Sequence, residues 1–357
     1  MPLLQPFPSA EDNRQSVPTI YDIAQEADVS VATVSRVLNG RYGVNEHTEA
    51  RIREAMDRLN FRPRWKAVDA RRALVLVPNH SHALVHVHIG SILAGIADAA
   101  FASGVSLSLR PFQVNVENRI HLAEFIRQDG ASGVLMISTQ RGYRMAERIA
   151  SEGIPHMAIG HLAHEKGMNR IVLDDYESAR KGTEYLLGLG HRGIEIVTAS
   201  RADVSHRLRY EGFAEALSGV VGKAAVPQGL IYEDVGLAAG RSAARMLLSR
   251  SDRPTAVLVT NEELATGLLQ EALKMGLSIP ADLSVLAYES GDRMQGLCPV
   301  PSVLSSPAYE MGRTALNWML PYLLDTDRSA AAPPTGYENT LSHVLTLRET
   351  TAPPGKA

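Results

Sequence analysis

The sequence predicts a small all-helical domain followed by an α/β body of two doubly wound parallel sheets. Three observations carry this. Residues 19–39 and 46–59 repeat apolar side chains at helical spacing. From residue 73 onward, short apolar runs alternate with amphipathic stretches, the pattern of strand and helix in turn. The chain has 357 residues and is 45% hydrophobic, enough for more than one core and more than one sheet usually needs.

In the helical part, Thr19 is suited to N-cap a first helix, and Asp22 favours its first turn. Ile20, Ile23, Ala24 and Ala27 fall on one face. Asp28-Val29-Ser30 makes a turn, with Ser30 as N-cap of a second helix running to about Leu38. Val34, Val37 and Leu38 point inward, leaving Val31, Ala32, Ser35, Arg36 and Asn39 outward. Asn45 caps a third helix whose apolar stripe is Ile52, Ala55, Met56 and Leu59. A short second helix with small residues and one Arg on its outer face is what a major groove accepts. Arg36 suits a guanine edge, Val31 and Ala32 a thymine methyl. Tyr21, Ser30, Thr33 and Asn39 suit phosphates, and Thr19 and Ser35 complete the expected DNA-facing set. Between residues 36 and 72, ten Lys/Arg oppose five Asp/Glu, although the whole chain carries a net charge of −3. That local surplus has the sign expected beside phosphates. Arg64 and Lys66 are among the ten and join the expected DNA-facing set.

Residues 18–63 resemble the N-terminal headpiece of the LacI/GalR family of transcription regulators. T-I-Y-D-I-A at 19–24, V-S-V-A-T-V-S-R-V-L-N at 29–39 and F-R-P at 61–63 carry the resemblance. Asp28 departs from it, standing where the family usually has Gly. Asp tolerates left-handed backbone better than most residues. After Pro63 the family's hinge helix, with a Leu for the minor groove, is not matched. Ala70 stands at the Leu position and the segment is shorter, so the expectation is weaker DNA bending and a steep salt dependence. Either that minor-groove wedge is absent, with Trp65 packing on the core lobe, or Trp65 takes its place.

In the body, the expected strands are Ala73–Val77, Val105–Leu109, Gly133–Ile137, His156–Ile159, Ile171–Leu173, Ile194–Thr198, Gly229–Tyr232, Ala256–Val259 and Ser284–Ala287. The expected helices are Ile89–Ala102, Ala179–Leu189, Arg209–Leu217, Leu237–Leu248 and Glu262–Lys274. Ligands bind such sheets outside the carboxyl ends of the strands. L-G-H-R at 189–192, R-Y-E-G-F at 209–213, A-V-L-V-T-N-E at 256–262, I-P-A-D-L-S-V at 279–285 and L-T-L-R at 345–348 resemble the effector core of the same family. The resemblance implies a two-lobed, type I periplasmic-binding-protein-like core. It also implies an effector site that takes in Asn79, His80, His88, His161, Arg209, Asn261, Glu289 and Ser306. Glu289 stands for the family's usual Asp, Ser306 for a frequent Gln and His161 for a frequent Arg.

The expected organisation is an arm at 1–16, a headpiece at 17–62, a hinge at 63–72 and a core at 73–357. Within the core, the N-lobe spans about 73–170 and 302–336, and the C-lobe about 171–301 and 337–350. Three chemical signals point elsewhere and are set aside. His80, His82, His86 and His88 form two H-x-H units that could bind zinc or copper. Without Cys or a carboxylate partner they read as cleft-lining, and neither metal nor cofactor is expected. Gly188–Gly193 matches G-x-G-x-x-G, but a helix precedes it and a strand follows, the reverse of the dinucleotide order. No nucleophile motif has a convincing context, so an enzyme or a ligand carrier on this scaffold is the alternative reading. The single Cys298 and the lack of a leader or spanning pattern point to the cytoplasm. The tail after Arg348 has no heptad, so a homodimer rather than a coiled-coil tetramer is expected. Its partners would be a pseudo-palindromic duplex operator and a small polar effector, by the resemblance a carbohydrate.

Overall fold

The computed structural model describes residues 18–38, 44–59, 61, 71–78, 87–112, 126, 129–137, 154–161, 167–201, 203–232, 235–324 and 334–355. The chain divides into two compact units, residues 1–65 and 66–357. The expected arm, the hinge segment with Trp65 and Ala70, and Asn39, Arg64, Lys66, Asn79, His80, His82 and His86 lie outside the described residues.

In the first unit, α1 (Ile20–Glu26), α2 (Val31–Leu38) and α3 (Glu46–Arg58) enclose a core of Ile23, Ala24, Ala27, Val34, Ile52 and Ala55. The caps follow the sequence. Thr19 donates its backbone N–H and its hydroxyl to the Asp22 carboxylate at 2.6 and 2.7 Å. Ser30 Oγ accepts from the Thr33 N–H at 3.1 Å, and Asn45 Oδ1 from the Thr48 N–H at 2.7 Å. Asp28 takes φ of +48°, the left-handed turn for which the family uses Gly.

The second unit holds two six-stranded sheets, parallel except at one edge. The first comprises β1 (Arg72–Pro78), β2 (Ser106–Phe112), β3 (Gly133–Ile137), β4 (His156–Ile159), β5 (Arg170–Leu173) and β11 (Glu338–Leu341). The second comprises β6 (Ile194–Ala199), β7 (Leu230–Tyr232), β8 (Ala256–Val259), β9 (Ser284–Glu289), β10 (Ser302–Ser305) and β12 (Val344–Thr346). Pro111 is tolerated in β2 because β2 is an edge strand.

The central strands read as unbroken apolar runs because both faces are covered. In the second sheet, Ile194, Ile196, Ala256, Leu258, Leu286 and Leu304 face α5 (Asp175–Gly188) and α6 (Val204–Val221). Their alternates Val197, Val257, Val259, Val285, Ala287 and Val303 face α7 (Leu237–Leu248) and α8 (Glu262–Lys274). In the first sheet, Ala73, Val75 and Val77 meet α4 (Val87–Ser103) and α9 (Ala308–Leu324). The last two helices touch backbone to backbone: a Cβ on Gly95 would fall on the Tyr309 carbonyl oxygen, and one on Gly312 on that of Ile92. The glycines of 188–193 end α5 and turn the chain, Gly190 with φ of +101°, before β6 begins. The chain order there is helix then strand.

The lobe boundaries are corrected by the sheet pairing. β5 pairs with β4 and β11 in the first sheet, whereas β10 pairs with β9 in the second. Residues 170–173 and 338–341 therefore belong with the first lobe and 302–305 with the second. The crossings fall between β5 and α5, between β10 and α9, and between β11 and β12. Each expected boundary falls one strand too early, at or just ahead of a strand that still pairs within the preceding lobe. Several elements also extend beyond the expected spans, α6 most of all, starting at Val204 rather than Arg209.

Candidate functional site

On the headpiece, burial of Val34 sets the rotation of α2. Ala32 and Arg36 are exposed and Ser35 is half-buried. Thr19, Tyr21 and Ser30 are exposed as well, Tyr21 by 69%, and Thr33 is half-buried beside its cap. Val31 differs from expectation: it is half-buried and packs on the headpiece core instead of pointing fully outward. The basic surplus is also partly internal. Arg51 Nη2 donates to the carbonyls of Ala27 at 2.5 Å and Asp28 at 3.2 Å. Arg58 pairs with Glu26 at 3.2 Å and Arg53 with Glu49.

In the core, the carboxyl ends of the strands converge where the chain crosses between lobes. Arg209, on α6 just after β6, sends Nε to Asp175 Oδ1 at 2.7 Å and Nη1 to the Thr260 carbonyl at 2.8 Å. The Tyr288 ring covers the guanidinium, its centroid 4.0 Å away. Asp175 is fully buried at the first crossing. Burial by itself would raise its pKa, but the Arg209 guanidinium, with His161 and His343 nearby, holds the carboxyl far below the usual carboxylate range. His161 directs Nε2 to the Leu173 carbonyl at 2.9 Å and lies 3.2 Å from Asp175 Oδ2, which has no hydrogen-bond partner of its own. His343, at the third crossing, approaches Asp174 Oδ1 with Nδ1 at 2.8 Å, and its backbone N–H donates to the same oxygen at 2.9 Å. Its buried Nε2 is also without a hydrogen-bond partner, 3.8 Å from Asp175 Oδ1.

The other expected effector residues fall into two situations. His88 Nδ1 lies 3.0 Å from Ser290 Oγ and 3.5 Å from Ser306 Oγ, while Ser91 donates to the Ser290 carbonyl at 3.0 Å. These contacts join the first lobe's α4 to the loop after β9. Asn261 and Glu289 carry structural work instead. Asn261 Oδ1 caps α8 by accepting from the N–H groups of Glu263 and Leu264. The carboxylate of Glu289, 2% exposed, accepts from the Met294 N–H at 3.0 Å and from Arg348 at 3.3 Å. Its extra methylene relative to Asp lets it fold back onto its own loop. Glu262, beside Asn261, is buried with its carboxylate accepting from the Ser290 N–H at 3.1 Å, and burial pushes its pKa up.

Sequence reasoning missed Asp174, Asp175, Tyr288, His343 and Glu262. Paired carboxylates directly after the apolar Ile171–Leu173 run were a usable signal for the first two. His343 sits in a loop without any local pattern. Among the described residues, no group of three or more His, Cys, Asp or Glu could hold a metal ion.

An exposed, capped second helix in a three-helix unit, followed by a core with polar groups gathered at its lobe crossings, defines a DNA-binding transcriptional regulator with a ligand-binding core. Both parts of the chain are similar to those of the LacI family of bacterial regulatory proteins. Residues 19–64 match the family model described as "Bacterial regulatory proteins, lacI family", and residues 183–351 match the "Periplasmic binding protein-like domain". Catabolite control protein A of Priestia megaterium is 24% identical over 311 residues, covering 85% of this chain and 92% of its own. The transcriptional repressor CytR of Escherichia coli K12 is 25% identical over 312 residues, covering 86% and 90%. In fold, the chain is similar to a transcriptional regulator CelR–cellobiose complex, with a TM-score of 0.67 at 23% identity and coverage of 94% of this chain and 100% of that one. It is also similar to the Lac repressor dimer bound to operator and an anti-inducer, with a TM-score of 0.65 at 23% identity and coverage of 94% and 99%. Among the described residues, no helix is long and apolar enough to cross a membrane.

Proposed function

We propose that the protein is a homodimeric, non-enzymatic repressor that reads a pseudo-palindromic operator and is controlled by a small polar effector, a sugar or sugar derivative. The observation that carries the DNA half is the exposure of Arg36 on α2 while Val34 is fully buried beneath it. That rotation aims a guanidinium where a guanine edge would lie, with Ala32 beside it. Thr19, Tyr21, Ser30, Thr33 and Ser35 serve as phosphate contacts around it. The effector half rests on the Arg209–Asp175–His161 cluster and on the His88 and Ser306 contacts, which join groups from both lobes. Solved relatives of like fold carry cellobiose and ribose, in line with a carbohydrate. An effector that binds one lobe arrangement better than the other shifts operator affinity by that difference.

The test is selection of an operator from random duplex, followed by anisotropy titrations. Arg36→Ala is expected to cost about 1–3 kcal/mol on the selected site and to relax preference at one base pair of each half-site. Equal loss on every duplex, or no loss, defeats the assignment. A thermal-shift screen of sugars, sugar acids, polyols and nucleosides locates the effector, because a ligand that binds the folded state raises its melting temperature.

A further inference from the structure

Residues 337–354 join the two lobes in a way that the apolar cores do not account for. The segment supplies an edge strand to each sheet, β11 beside β5 and β12 beside β10, and the third crossing between them. Across residues 334–355 only Thr350 is buried as a whole residue, together with the His343 ring. Tyr337, Leu341 and Leu345 lend partial apolar cover. The segment is therefore held mainly by hydrogen bonds, the property of a stretch that opens ahead of the sheets behind it.

Its two ends are fastened through buried histidines. At the start, the Tyr337 N–H donates to Asn169 Oδ1 at 3.0 Å. Asn169 in turn lies on His156: its backbone N–H donates to Nε2 at 3.3 Å and its Nδ2 to the His156 carbonyl at 3.4 Å. His156 Nδ1 is 2.8 Å from the Ile154 carbonyl oxygen. A carbonyl only accepts and an amide N–H only donates, so the ring is neutral, with its proton on Nδ1 and its lone pair on Nε2. A second proton would set N–H against N–H at Asn169. At the other end, His191 Nε2 lies 2.9 Å from the Ala352 carbonyl oxygen, and Nδ1 lies 2.8 Å from Thr255 Oγ1. Beside it, Ser284 exchanges two hydrogen bonds with Ala352. His191 is 1% exposed beneath this tail, so an imidazolium there would be cut off from water.

No opposite charge steadies a proton on either ring. Arg170 and Glu338, next in the chain to Asn169 and Tyr337, pair with each other at 2.7 Å. Arg192, next to His191, turns its guanidinium onto the Leu187 and His191 carbonyls, and its charge disfavours a second cation. Among the described residues neither ring pairs with a carboxylate. Burial accordingly holds both below the ordinary imidazole value of 6.5. We propose that residues 337–354 form an acid-releasable strap across the lobes, closed while His156 and His191 are neutral and opened from either end when the ring at that end takes up a proton. Opening leaves the lobes joined at two crossings instead of three, which frees their relative angle without unfolding either sheet. This restraint is independent of which effector binds.

The test is hydrogen exchange read by mass spectrometry on the full chain at pH 7.5, 6.5 and 5.5, with rates divided by the intrinsic exchange at each pH. Between pH 7.5 and 5.5, protection of residues 337–341 and 344–354 is expected to fall about tenfold, the factor for one pH unit below 6.5. The central strands β8 and β9 are expected to keep theirs. His156→Gln, which retains an acceptor for the Asn169 N–H, is expected to abolish the loss at 337–341 alone, and His191→Gln that at 344–354 alone. Wild-type exchange decides the matter if a variant folds poorly. An equal loss in β8, β9 and the segment marks global destabilisation and overturns the strap. Unchanged protection of 337–354, or a loss that both variants retain, overturns it as well.

Discussion

Arg51 separates a basic residue that holds DNA from one that holds the headpiece together. By sequence it belongs to the positive surplus around the second and third helices. In the structure its guanidinium reaches from α3 to the end of α1, donating to the carbonyls of Ala27 and Asp28. It thereby fastens the turn at which Asp28 is left-handed. Arg51→Met keeps the aliphatic stem and removes the donors. A hydrogen bond from a charged group is worth about 1.5–3 kcal/mol. The Arg51 side chain is 39% exposed and that of Asp28 99%, so their 3.6 Å ion pair adds nothing appreciable and water replaces part of the rest. The discounted loss is about 1–2 kcal/mol. In a domain this small, each kcal/mol moves the midpoint by about 4–8 °C, so the headpiece transition should fall by roughly 5–15 °C. Calorimetry on the full chain reads this, with the core transition as internal control. The second readout is the salt dependence of operator binding, where one lost phosphate contact lowers the slope by about 0.9. The slope is expected to stay unchanged. A drop of about one unit with an unmoved headpiece transition would show that Arg51 faces DNA and that the clamp assignment is wrong.

Two further perturbations test the core. His156 and His191 are held below the ordinary imidazole value of 6.5, in both cases by burial first. The unfolded chain takes up protons near pH 6.5 where the folded one does not, so stability is full above that pH and falls below it. Each group contributes a slope of up to about 1.4 kcal/mol per pH unit. Denaturant titrations at pH 7.5, 6.5 and 5.5 should show the loss, and His156→Gln should remove about half of it; a flat profile contradicts the assignment. Gly312→Ala gains about 1 kcal/mol of helix propensity but drives a methyl onto the Ile92 carbonyl oxygen. The backbone contact cannot yield cheaply, so a net destabilisation of about 1–3 kcal/mol is expected in the core transition. A stabilised variant would mean that the two helices can separate without loss.

What was legible in the sequence tracks how local the cause is. The caps at Ser30 and Asn45 are three-residue patterns that form, and Thr19 meets Asp22 three residues on through its backbone N–H and hydroxyl. The spans Gly133–Ile137, His156–Ile159, Ala256–Val259, Leu237–Leu248 and Glu262–Lys274 coincide with the elements observed, because burial on both faces or on one helical stripe writes a periodic signal. β11 and β12 were invisible for the opposite reason. They are short edge strands in which no side chain is buried, so they carry no apolar run. α9 carries Pro321 in its last turn, which interrupts a helical pattern when read without its neighbours. Val31 was assigned outward by spacing alone, yet a two-turn helix end packs what lies nearest the core. For the site, Arg209 and His161 were found by resemblance, but their partner Asp175 reads locally as one more acid in a helix's first turn.

The three lobe crossings also explain why ligand control is possible without a long relay. Asp174 and Asp175 sit at the first crossing, Ser306 at the second and His343 at the third. Asp174 takes two hydrogen bonds from His343, so the first and third crossings are tied to each other. Ser306 donates its backbone N–H to the Glu289 carbonyl at 2.7 Å, which ties the second crossing to the end of β9. The side chains proposed to meet an effector thus lie at the segments that join the two lobes. Differential affinity for two lobe angles then needs no distant coupling pathway.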